Sequence, residues 1–127
     1  MPMIDVYATA GTFGDPKALA QKLASELMAI EQVPDIPMFR KNTAAFVHEL
    51  PSSGISNVEG DSTYVRIQVL TNAGALDRAK QLAVVSRFST IAPSRHFASV
   101  TIRVPFSSSP TTHVQSPEPN LIGWDLT

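Results

Sequence analysis

Proline stands at position 2, directly after the initiator methionine. A small residue there permits removal of Met1, which makes proline the amino terminus. Its amine is then secondary, rigid and nucleophilic. An α-amine titrates at about 8, so mild desolvation or a nearby cation leaves it neutral at pH 7. A neutral amine can take a proton as a general base, or attack a carbonyl. Met-Pro is also an ordinary way for a protein to begin, so the dipeptide alone leaves a functional and a bland reading open.

Other chemistries lack their residues. The 127 residues include no cysteine, which removes disulfides, zinc-thiolate sites, iron–sulfur clusters and thiol catalysis. His48, His96 and His113 are far apart and form no H-E-x-x-H, so no metal site is expected. The sequence holds no G-x-S-x-G elbow, no P-loop and no G-x-G-x-x-G. Its carboxylates are scattered, so no paired-acid site can be picked out. Ten basic and eleven acidic side chains leave a net charge of −1. That balance gives no electrostatic footprint for nucleic acid or an anionic membrane. The longest apolar stretches fall far short of the roughly 20 residues of a membrane span. The opening MPMIDVYATAGTF has no Lys or Arg, so no secretory signal is expected. The expectation is a soluble, cytoplasmic protein with one core.

Pro2 must be positioned by the elements downstream of it. Residues 3–9 alternate, with Ile4, Val6 and Ala8 on one side and Met3, Asp5 and Tyr7 on the other, which predicts a half-buried strand. Asp15-Pro16 reads as an N-cap and first helical residue. Leu19, Leu23, Leu27 and Ile30 then predict a helix over 16–31. Pro34 and Pro37 forbid its continuation. Strands are predicted at 43–50, 63–71 and 98–104. A second helix is predicted at 76–90, with Leu76, Ala79, Leu82, Ala83 and Val85 as its apolar face. The order is β-α-β twice. The expected fold is therefore α/β (α+β in some schemes): a duplicated β-α-β making a four-stranded mixed sheet with two helices on one face. The other face stays uncovered. Tyr7, Phe46, Leu50, Tyr64 and Leu70 are candidates for it, so an oligomer is expected. Residues 1–104 form the domain. Residues 105–127 are Ser/Pro-rich, without Lys or Arg, and read as a disordered tail or an extended arm anchored by Trp124.

Taken together, MPMIDVYATAG, the helix ALAQKLASELMAIEQVP, the strand AAFVHELP and the loop ending NVEGDSTYVRIQVL resemble the tautomerase superfamily. The likeness is to enzymes similar to 4-oxalocrotonate tautomerase, and to longer fused members such as cis-3-chloroacrylic acid dehalogenase. It covers roughly residues 2–87. The resemblance implies a homotrimer that needs no cofactor. It implies Pro2 as catalytic base, moving a proton between the enol and keto forms of a small 2-oxo acid. Family members carry an arginine after the first or third strand to grip the substrate carboxylate. Here those places read Ala10-Gly11-Thr12 and Thr71-Asn72-Ala73. Related decarboxylase or hydratase chemistry, and a non-catalytic binding protein of the same fold, stand as alternatives. Arg40 is a substitute carboxylate anchor or a solvated loop cation. His48 is a donor to an enolate oxygen or a structural interface histidine. Arg66, beside Tyr64 and Gln68, lines a pocket or pairs across an interface. Ile55 and Val58 wall off the amine or merely pin their loop.

Overall fold

The computed structural model describes residues 2–72, 74–93, 95–104 and 112–114. Alternation places β1 at Met3–Thr9, as expected. The Asp15 carboxylate accepts from the Ala18 N–H and opens α1, Pro16–Glu31. Gln32 ends this helix in a left-handed conformation, φ 61°. Pro37 then does more than block continuation. Its fixed φ suits the first position of a helix, and it opens a short additional helix, α2, Pro37–Asn42. β2 runs Ala44–Leu50, β3 Tyr64–Leu70, α3 Arg78–Ser89 and β4 Phe97–Arg103.

These strands form a mixed sheet in the order β2-β1-β3-β4. β1 pairs parallel to β2 and β3 parallel to β4, while β1 and β3 run antiparallel at the centre. Each parallel pair brackets one long helix, so the two β-α-β units meet across the middle of the sheet. A three-residue β5, Thr112–Val114, adds an antiparallel edge beside β4. The rest of the 105–127 segment, including Trp124, lies outside the described residues.

One face of the sheet carries Ile4, Val6, Val65, Ile67, Val69, Val100 and Ile102 against Leu23 and Leu27 of α1 and Val84, Val85 and Phe88 of α3, all buried. The expected face of α3 needs correction. Leu82 is 46 % exposed and Ala79 is exposed, while Val84, Val85 and Phe88 are buried. The Asp77 side chain, accepting from the Lys80 N–H, starts the helix at Arg78. That start sets the rotational phase, and 84, 85 and 88 are the positions that turn toward the sheet. Among the described residues no helix is long and apolar enough to cross a membrane.

Candidate functional site

Pro2 sits at the head of β1, half-buried, and its carbonyl accepts from the Ala44 N–H at 3.4 Å. Met3 is opposite Leu70, so one further step of the antiparallel register sets Pro2 opposite Thr71. Even positions of β1 face the helices, which places Pro2 on the same side as Ile4 and Thr71. The beginnings of β1 and β2 and the ends of β3 and β4 therefore share one end of the sheet. α1 ends there and α3 begins there.

Glu31, the last residue of α1, reaches this end. Its Oε2 accepts from the Thr71 hydroxyl at 3.5 Å, and Lys80 Nζ donates to its backbone carbonyl at 3.3 Å. Its Oε1 is buried with no hydrogen-bond partner among the described residues. Burial pushes the Glu31 carboxyl up from its ordinary value, against the Thr71 hydroxyl, the amino-terminal charge and Lys80. The folded chain thus holds this proton more tightly than the unfolded chain. Stability is then lost as pH rises from 4.5 through the raised folded value. In the chain carrying Met1, Glu31→Gln is expected to raise Tm at pH 7 and leave it unchanged at pH 3. Thermal unfolding at both pH values checks this.

A different cluster occupies the uncovered face. His48 Nε2 lies 2.8 Å from Asp5 Oδ1, and its ring stacks on Tyr7 at 4.4 Å between centroids. Arg66 is the register partner of Tyr7 on the other flank. Phe46 and Leu70 are 47 % and 36 % exposed on the same face.

The four residues singled out in the sequence do not converge within one chain. His48 and Arg66 are level with Tyr7, five residues beyond Pro2, which is ~16 Å along a strand. Arg40, on α2, precedes the start of β2 but is committed to Asp35, with its Nη1 2.8 Å from Oδ1. It lines an open groove of about 750 Å³ between α1 and β2, with Ala20, Ala24, Met28 and Ala45, and Pro2 is not among the lining residues. Ile55 and Val58 lie in the loop from β2 to β3, at the end of the sheet opposite Pro2, with Val58 fully exposed. Within one chain they wall off nothing near the amine.

Two residues at the Pro2 end carry no signal in the sequence. Arg103, exposed, pairs with Leu70, which pairs with Met3, so it lies two strands or ~10 Å from the start of β1. Glu31 looks like one more polar position on a helix. Only the return of β3 past the end of α1 makes it part of a site.

No family model matches this chain, and no curated protein matches it. Solved structures do. A fused 4-OT, solved as a wild-type asymmetric trimer, superposes with a TM-score of 0.62 at 21 % identity, over 80 % of this chain and 85 % of its own. A second fused 4-OT, also an asymmetric trimer, gives 0.60 at 18 % identity over the same shares. At such identities the likeness speaks for architecture. The chain has the fold of the fused 4-OT proteins.

Proposed function

We propose that the chain is a cofactor-independent tautomerase. It interconverts the enol and keto forms of a small 2-oxo acid, with Pro2 as amino-terminal general base, and acts as a homotrimer. The observation that carries this reading is the fused 4-OT fold with a proline heading its first strand. The neutral Pro2 nitrogen takes the proton of the enol hydroxyl and delivers it to the adjacent carbon, leaving the ketone. Both transfers use one amine, so no redox group is called for. A cation steadies the substrate carboxylate. Arg103 is at the same end of the sheet but, as the partner of Leu70, on the uncovered face, whereas Arg40 has first to release Asp35. His48 and Arg66 reach a substrate only across the uncovered face, from a neighbouring copy.

The test is ketonisation of phenylenolpyruvate by untagged protein whose intact mass proves that Met1 is gone. A rate well above buffer that depends on Pro2 supports the reading. Absence of any rate favours a second one, a non-catalytic binding protein of this fold. The Arg40–Asp35 ion pair and the lack of an arginine after β1 or β3 speak for that second reading.

The trimer makes its own prediction. Phe46 and Leu70 give the uncovered face apolar area to bury against another copy. Phe46→Asp puts a charge there and is expected to convert the trimer to monomer. Light scattering of the eluting protein reads this directly.

A further inference from the structure

Glu31 carries three costs at once. It is an acid in the last turn of a helix, where the dipole favours cations. It is half-buried, and its Oε1 has no partner among the described residues. Buried polar atoms nearly always have a partner, and one that lacks it calls for an explanation. Lys80 is nearby but donates to the Glu31 backbone carbonyl. The Thr71 hydroxyl serves Oε2, and the Thr71 N–H is used by the Arg103 carbonyl. Pro2 stands opposite Thr71 in register and on the same face. While Met1 is attached, the Pro2 nitrogen is a tertiary amide with no hydrogen to give. Removal of Met1 turns it into a secondary amine, which carries two N–H donors when protonated.

We infer that Glu31 is a positioning residue for the amino terminus, its free carboxylate oxygen accepting from the protonated Pro2 amine once Met1 is removed. The inference rests on the proposed role of Pro2 and adds how that amine is held. Three elements fix the geometry: α1 delivers the carboxylate, the end of β3 orients it through Thr71, and β1 brings the amine. An adjacent carboxylate favours the charged form of an amine, so Glu31 raises the basicity of Pro2 while reducing the share of it that is neutral, and free to take a proton, at pH 7. It also stops the amino-terminal residue from swinging away from the sheet. The charged groups facing Glu31 are the amino terminus and Lys80, and Lys80 acts in the opposite sense on the amine.

The test uses full-length protein carrying ¹⁵N-proline, with loss of Met1 verified by intact mass. The Pro2 amine is titrated by NMR, a readout independent of turnover. Glu31→Gln is expected to lower the amine pKa by about one unit, as for loss of an opposite charge at contact. Thr71→Val, which frees the carboxylate to wander, is expected to move it the same way by less. Where the enzyme turns over, the acidic limb of kcat/KM should follow the same shift. An amine pKa unchanged in a folded Glu31→Gln protein overturns the inference, and so does a chain that retains Met1. If the shift appears but phenylenolpyruvate is not ketonised, the catalytic reading fails and the inference stands. If ketonisation depends on Pro2 while its pKa ignores Glu31, the reverse holds.

Discussion

Pro2→Ala is expected to lower kcat/KM for ketonisation of phenylenolpyruvate by about 100-fold, the lower end of what a positioned general base contributes. Alanine leaves an amine at the amino terminus, so the base is not deleted. What goes is the ring, which makes the amine secondary and fixes the direction of its lone pair relative to β1. A primary amine on a freely rotating residue spends less time in the productive geometry. Adding one residue before Pro2 is the sharper control. It converts the nitrogen to an amide with no basic lone pair, and the rate should fall to that of buffer. Steady-state kinetics on mass-verified proteins check both. Equal rates for the native and extended chains would remove Pro2 from the mechanism.

The second large effect is in the core. Phe88→Ala should destabilise the protein by about 3–5 kcal/mol, because a fully buried aromatic ring leaves a cavity that the sheet closes only in part. Leu82→Ala on the same helix should change stability by only about 0.5 kcal/mol, since Leu82 is half-exposed. Urea unfolding at one protein concentration measures both, through the midpoint at constant slope. The pair also decides between two rotational settings of α3. The hydrophobic residues 76, 79, 82, 83 and 85 suggest one, and packing on the sheet selects the other. Equal losses for the two variants would contradict the observed packing.

Much of the architecture is legible in the sequence because it rests on local rules. Period-two alternation in MIDVYAT defines β1 to the residue, and Asp15-Pro16 with leucines at 19, 23 and 27 defines α1. The repeated β-α-β order implies parallel pairs and a helix-covered face, which β1–β2 and β3–β4 have. Local rules are weaker where two signals compete. Pro37 reads as a stop and is also a start. On α3, the apolar alanines and leucines near its beginning outweigh Phe88, although the cap at Asp77 is there to be read.

The candidate site is legible only at one point. Pro2 is conspicuous because the chemistry proposed for it depends on its becoming an amino terminus. Glu31 and Arg103 are 29 and 101 positions away from it, and no motif spacing links them. His48 and Arg66 look available to a substrate in the sequence. In the sheet they flank Tyr7, and His48 is held by Asp5.

The sequence by itself determined the four long strands, the two long helices and their order, since alternation, helical spacing and caps act over a few residues. It also singled out Pro2, the residue proposed as the base. Only the tertiary structure decided what stands beside that residue. The antiparallel junction of β1 with β3 brings Thr71 opposite Pro2, and the length and phase of α1 bring Glu31 over Thr71. Contacts of that kind are set by sheet register and helix packing, which join residues far apart in the chain and leave no periodic trace in it.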